Sequence, residues 1–296
     1  LLQVAQFFVE KSKQIQLIIA KTKSAMVGAS AMCGFCRSGR RGFLGAGVAL
    51  AATLAMPMRA RAAGSLPVVM LDPGHGGHDP GASAPDGVKE KHITLACAQT
   101  LRRALEGTGR YQVEMTRTRD VFVTLEDRVA KAVAARADLF LAMHCDHLPE
   151  ADMRGASVFT LSNNASDGLA AGLAQTENSA DGVGANMPAG MSPAVANIMA
   201  SLETRATRIG SATLAQDIEA SFHGVIPLLP DPHRSANFAV LRDPSTPSTL
   251  LEMGCLTNKL DETLLRSPKH RELLAARLVT AIDVYFADYA AGRAAG

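Results

Sequence analysis

The sequence predicts an α/β fold in which one sheet is covered by helices on both faces. Two observations predict it. Short apolar runs of strand length alternate with longer segments whose apolar residues recur at helical spacing, and strands alternating with helices pack as a sheet between helical layers. The chain has 296 residues, 47% of them hydrophobic, enough for a substantial single core.

Each element follows in order. Val68-Val69-Met70-Leu71 is an apolar run that stops at Asp72-Pro73-Gly74, as a buried strand stops at a loop. Ile93, Ala96, Cys97, Leu101, Ala104 and Leu105 lie at helical spacing, and that helix ends before Gly107. Tyr111–Met115 alternates as a strand. Thr124 offers an N-cap and Asp127 a first-turn acid to a helix running to about Arg136. Asp138–Met143 is a buried strand with His144 at its end, and Ala156–Leu161 is another strand after Gly155. Two helical segments follow, about Asp167–Asn178 and Ser192–Phe222, around a Gly-, Ala- and Pro-bearing loop at 181–193. Phe238–Leu241 and Thr249–Met253 resume the strands, and Lys269–Tyr289 reads as a closing helix.

Composition narrows the function. Aromatics are 4% with no Trp, which argues against a Trp-lined carbohydrate cleft or an aromatic base-stacking platform. The net charge of +2 hides an asymmetry: residues 1–63 carry nine Lys/Arg and one acid, whereas residues 64–296 carry 21 basic and 27 acidic residues. The main part is therefore acidic, and nucleic acid is not an expected partner. Paired Arg40-Arg41 precede the uncharged run Gly42–Met56, which includes Phe43-Leu44, and Arg59-Ala60-Arg61-Ala62-Ala63 follows. A run of about 15 residues is too short to span a bilayer, which takes about 20. Positive flank, short apolar core and small-residue cleavage site read as a twin-arginine signal peptide, so residues 1–63 are expected to be removed and 64–296 to work in the periplasm. Translation is expected to start at Met26 or Met32. Cys33 and Cys36 form a CxxC in that leader without a second pair to make a metal or redox site. Cys97, Cys145 and Cys255 are too few for a disulfide framework and read as buried thiols, with one bridge among them left open.

Chemistry concentrates at three strand ends. Asp72-Pro73-Gly74-His75-Gly76-Gly77 puts His75 in a loop whose glycines allow close approach, Glu90 heads a helix, His144 closes a strand, and Glu252 lies in Leu250-Leu251-Glu252-Met253-Gly254. A carboxylate inside an apolar strand is costly unless paired or metal-bound, and sites in open α/β sheets collect at strand carboxyl ends. Two imidazoles and a carboxylate that leave one position open make a catalytic zinc set, with a second carboxylate to move protons. Each residue alone has a blander reading as a hydrogen-bonded structural group or tight turn, and His78, His92 and His147 compete as donors. Cys145 would face away from His144 in a strand. The glycine loop lacks the Gly-Lys-Ser/Thr of a phosphate loop.

These motifs resemble the zinc-dependent N-acetylmuramoyl-L-alanine amidases of the type 3, cell-division kind. The resemblance rests on Leu71–Gly77 with Asp79-Pro80-Gly81-Ala82, Glu90-Lys91 before Ile93-Thr94-Leu95, Met115-Thr116-Arg117, and Leu125 with Arg128. It continues through Ala137–Phe140 before His144 and Leu250–Gly254 ending at Asn258. It implies a single domain with a mixed, mostly parallel sheet of about six strands and helices on both faces. It further implies that His75, Glu90 and His144 hold one Zn2+ per chain and that Glu252 is the catalytic carboxylate. The implied reaction cleaves the amide between N-acetylmuramic acid and L-Ala of the peptidoglycan stem peptide. Cys145 and Cys255 replace the Ala and aromatic of many relatives without removing a ligand.

The stretch at about 162–233 exceeds a simple crossover. In the cell-division members a comparable insert covers the zinc with a carboxylate until an activator removes it, and Gln175–Asp181 resembles that segment. Glu177 is the expected autoinhibitory ligand, Glu203 a second candidate, and the activator a degenerate metallopeptidase-like protein docking on Ser192–Phe222. A solvated helix face is the blander reading. A monomer is expected. Two other functions stay open from the residues: a silent zinc-containing wall-binding or divisome scaffold, and a zinc peptidase acting on the stem peptide. Retention of all three ligands and Glu252 disfavours the first, and the family motifs disfavour the second.

Overall fold

The computed structural model of the chain describes residues 65–148, 150, 152–180 and 205–294; the leader, the loop at 181–193 and Glu203 lie outside them. Six strands form one sheet: β1 (Val68–Pro73), β2 (Gln112–Met115), β3 (Leu139–Asp146), β4 (Ala156–Leu161), β5 (Leu228–Ala236) and β6 (Ser248–Cys255), in the spatial order β2-β1-β3-β6-β4-β5. All neighbours run parallel except β4 and β6, so the sheet is mixed and mostly parallel, as the sequence predicts.

The central strands β1, β3 and β6 are buried along their whole length, which explains their unbroken apolar runs. Alternation sorts their side chains. Val69, Leu71, Leu139, Leu141, Met143, Cys145, Leu251 and Met253 enter one apolar cluster, and Val68, Met70, Phe140, Ala142 and Leu250 enter the other. The first cluster is completed by α1 (Glu90–Gly107), α4 (Arg205–Phe222) and α6 (Pro268–Ala294), the second by α2 (Leu125–Ala135) and α3 (Gly168–Asn178). Among the described residues no helix is long and apolar enough to cross a membrane.

Capping sets the helix ends. Thr124 accepts from the Asp127 N–H to start α2, which ends at Arg136 in the left-handed region. Asp167 accepts from the Ala170 N–H to start α3.

Four expectations change. His144 does not close its strand, because β3 continues to Asp146. The strand expected at Phe238–Leu241 lies earlier, at β5, and Ala239–Leu241 is a 3-10 turn. Pro230, Asp231 and Pro232 mask β5 in the sequence; they are tolerated because β5 is an edge strand that bulges there, with Ala156 opposite Leu228 but Val158 opposite His233. The expected insert at 162–233 therefore overlaps β5, and its helical part closes by Phe222. Finally α5 (Lys259–Arg266), capped by Asn258, precedes α6 as a separate helix, since Pro268 begins a new one. Of the expected second helical segment, Arg205–Phe222 is a helix and residues 192–204 lie outside the described residues.

Candidate metal centre

The centre begins with the loop after β1. His75 takes φ of +59°, a left-handed conformation costly for a side-chain-bearing residue, and the surroundings hold it there. Arg128 of α2 donates to the carbonyls of Pro73 (2.8 Å) and His75 (2.8 Å), and Arg117 donates to those of Pro73 (2.9 Å) and Gly74 (2.7 Å). Arg128 also pairs with buried Asp72 at 2.7 Å, and Thr116 donates to the same oxygen at 2.5 Å. His75 Nδ1 lies 2.8 Å from Asp79 Oδ2, so the ring is oriented with Nε2 toward the centre.

Glu90, the first residue of α1, is buried. Its Oε2 accepts from the Ala82 N–H (2.8 Å) and lies 3.0 Å from His75 Nε2, while Oε1 accepts from the Cys145 N–H (2.9 Å) and lies 3.2 Å from His144 Nδ1. Two glycines let these groups meet. A Cβ at Gly74 would stand 2.3 Å from His144 Cε1, and one at Gly81 2.5 Å from both Glu90 Oε2 and His75 Cδ2. The two imidazoles lie edge to face, centroids 4.9 Å apart.

Glu177 arrives from α3, its Oε2 at 3.1 Å from His144 Nδ1 and 3.6 Å from His75 Nε2. The buried residues of this Gly- and Ala-rich helix are Ala170, Ala174 and Glu177, Leu169 and Leu173 pack partly buried against the second cluster, and polar ties fix both its ends. Arg234 of β5 pairs with the capping Asp167 at 3.0 Å, and the Asn178 amide both donates to Asn237 O (2.8 Å) and accepts from the Ala239 N–H (2.7 Å).

The buried imidazoles and carboxylates act strongly on one another. Burial pushes the His75 and His144 imidazoles down, but Glu90 and Asp79 beside His75, and Glu177 and Glu90 beside His144, outweigh it and lift each to about 10. Burial would raise Glu90, yet the two imidazoles hold its carboxyl well below the usual range. His75 Nε2 and His144 Nδ1 are nevertheless buried without a well-formed hydrogen bond. Ligand atoms of His75, His144 and Glu177 all lie within 4.8 Å of one another. Orphaned imidazole nitrogens converging with carboxylate oxygens fit a metal ion, and a nitrogen-and-oxygen set of this kind suits zinc. A small recess adjoins them, lined by His75, Asp79, Phe122, Val123, His144 and Glu177 among others.

Glu252 stands opposite His144 in the β3–β6 register and opposite Ser157 in the β4–β6 register. It is fully buried, and neither carboxylate oxygen has a hydrogen-bond partner. Burial first, then the Asp146, Glu90 and Glu177 carboxylates, push its carboxyl well above the ordinary value. Asp146 is itself lifted to about 7, mainly by burial.

A family model described as N-acetylmuramoyl-L-alanine amidase matches residues 69–284. The chain belongs to this type 3 amidase family. Among similar amidases, AmiC of Neisseria meningitidis is 39% identical over 223 residues, covering 75% of this chain and 53% of its own length. AmiA of Salmonella typhimurium is 38% identical over 224 residues, covering 75% of this chain and 77% of its own. The chain thus spans about half of one relative and about three-quarters of the other. Among solved structures, the amidase Ami1 of Mycobacterium smegmatis shares the fold at 20% identity with a TM-score of 0.57, over 75% of this chain and 97% of that one. CwlD of Clostridioides difficile, solved in complex with the GerS lipoprotein, shares it at 21% identity and 0.55, over 75% and 98%.

This amidase fold brings His75, Glu90, His144 and Glu177 together and sets Glu252 beside His144. It leaves out the competing donors: His92 and His147 are exposed, and exposed His78 stacks on Phe122 with centroids 4.1 Å apart. Cys145 joins the opposite cluster, and all three thiols of residues 65–296 are free and buried. Sequence reasoning gave no role to Asp79, Arg117, Asp146 or Ser157. Asp79, four residues after His75 in the quoted motif, was the readable signal; the others become visible through burial.

Proposed function

We propose that this chain is a zinc metallohydrolase that cleaves the amide between the lactyl group of N-acetylmuramic acid and L-Ala of the peptidoglycan stem peptide, in septum splitting and wall turnover. The observation that carries this reading is the convergence of His75 Nε2, His144 Nδ1 and the Glu90 carboxylate, with orphaned imidazole nitrogens, beside the unpaired carboxyl of Glu252.

His75, Glu90 and His144 would hold the zinc, one per chain. When bound, it supplies Lewis acidity toward a carbonyl oxygen and lowers the pKa of water. Asp79 orients His75 through Nδ1, and the backbone N–H groups of Ala82 and Cys145 fix the two Glu90 oxygens. Glu252 accepts the proton of the attacking water and returns it to the leaving nitrogen of L-Ala.

Glu177 would serve as a further zinc-holding carboxylate in the resting state, and α3 would be the element that bars substrate. An activator, a degenerate metallopeptidase-like protein, would draw α3 away. The leader would deliver the enzyme to the periplasm by the twin-arginine route, with residues 64–296 as the catalytic domain.

Digestion of purified sacculi followed by mass spectrometry tests the reaction. Free stem peptides beginning at L-Ala with intact glycan chains are expected, whereas cleavage between peptide residues would replace the amidase with a peptidase. Glu252→Gln should abolish turnover while zinc stays bound. Glu177→Ala should raise basal hydrolysis, and an unchanged basal rate with zinc present would remove the autoinhibitory role.

A further inference from the structure

We infer that Ser157 is a positioning residue that holds the Glu252 carboxylate by a hydrogen bond during turnover. The inference rests on the reading of Glu252 as the proton carrier.

Ser157 lies on β4, fully buried, and its Oγ has no hydrogen-bond partner. A buried hydroxyl without a partner weakens a fold, and such groups call for an explanation. Its neighbours Ala156 and Val158 pack into the first apolar cluster, so Ser157 points to the other face with Phe159. Glu252 takes that same face, because Leu251 and Met253 flank it in the first cluster and Leu250 lies in the second. The register sets Ser157 and Glu252 directly opposite each other in the antiparallel β4–β6 pair. Side chains so placed have Cβ atoms about 4.5–5.5 Å apart.

The need is equally specific. Both Glu252 oxygens are buried and unpaired, and a buried carboxylate without a partner is costly. A serine hydroxyl supplies a donor. Thr249 is also buried with an unpaired hydroxyl, but it sits three residues from Glu252 and therefore faces the other side of the sheet. Ser157 and Glu252 are not bonded in this arrangement, and a serine hydroxyl reorients by changing between staggered χ1 wells. The hydroxyl that contributes nothing at rest then fixes one carboxylate oxygen and aims the other at the substrate.

Ser157→Ala in the zinc-loaded protein tests this. The variant should keep its zinc content and melt at the same temperature or higher, since it loses no bond and an unpaired hydroxyl. Its kcat on solubilised peptidoglycan fragments should fall roughly 10- to 100-fold with KM unchanged, as expected for a hydrogen bond to a charged group. Ser157→Thr, which keeps a hydroxyl, should recover most of the rate. In a Glu252→Gln background the alanine should cost nothing further. Full kcat in Ser157→Ala, or a loss that comes with lower melting temperature and zinc content and is not rescued by threonine, would overturn the inference. An active Glu252→Gln single variant would instead overturn the reading of Glu252.

Discussion

Replacing Gly74 by alanine should disable the metal centre without touching a ligand. Gly74 needs no left-handed conformation, so the effect comes from space alone. Its added Cβ would stand 2.3, 2.5 and 2.6 Å from Cε1, Nε2 and Nδ1 of His144, where ordinary contact starts near 3.4 Å. One side must retreat by roughly 1 Å. The loop cannot do so cheaply, because Arg117 and Arg128 grip the carbonyls of Pro73, Gly74 and His75 and Thr94 adds a 3.0 Å bond to Gly74 O. The His144 ring gives way. Overpacking of this kind costs about 1–3 kcal/mol of stability, so the variant should fold. A misplacement of about 1 Å at a reacting centre costs on the order of 100-fold in rate. Zinc content by mass spectrometry of the folded protein, chelator competition and turnover on sacculi should all fall together, while circular dichroism stays native. Gly107→Ala, where a Cβ meets nothing within 4 Å, is the control. Wild-type zinc affinity and turnover in Gly74→Ala would refute the claim that this close approach positions His144.

Three further outcomes follow from the same geometry. Asp79→Ala removes the partner of His75 Nδ1 and should weaken zinc binding about 10- to 100-fold in a chelator titration; an unchanged dissociation constant would leave Asp79 without that role. Arg128→Met strands buried Asp72 and should cost about 3–5 kcal/mol in urea denaturation, less when combined with Asp72→Asn; additive losses would deny the pairing. Burial, with Asp288 beside it, raises the Asp217 carboxyl from 3.8 to about 6. The folded chain then holds that proton more tightly than the unfolded chain, so this group reduces stability as pH climbs from about 4 to 6. Asp217→Asn should therefore raise the melting temperature at pH 7 and change it little at pH 4. Since the group is largely solvated, the gain is bounded near about 1 kcal/mol, roughly 2–4 °C for a domain of this size; an equal gain at both pH values would show that charge is not the cause.

The reach of sequence reasoning depended on what each segment had to satisfy locally. The central strands were legible because burial on both faces demands continuous apolar runs, and α2 because Thr124 and Asp127 announce its start. β5 was not, since an edge strand tolerates Pro230 and Pro232 and so loses the apolar signature, which passed to Phe238–Leu241 just beyond. α5 was hidden by its shortness and by the helix that follows it directly.

The site divides in the same way. The sequence determined the candidate residues: His75 within its glycine loop, Glu90 at a helix head, His144, and Glu252 as a carboxylate where an apolar residue belongs. Those chemistries are written in residue type and spacing. Folding decided which atoms meet and what holds them. Arg117 and Arg128 grip the His75 loop from 40 and more residues away in the chain, Glu177 reaches His144 because α3 is tied at both ends, and Ser157 faces Glu252 because β4 alone runs antiparallel to β6. Register and burial are relations between distant segments, and no local pattern of residues contains them.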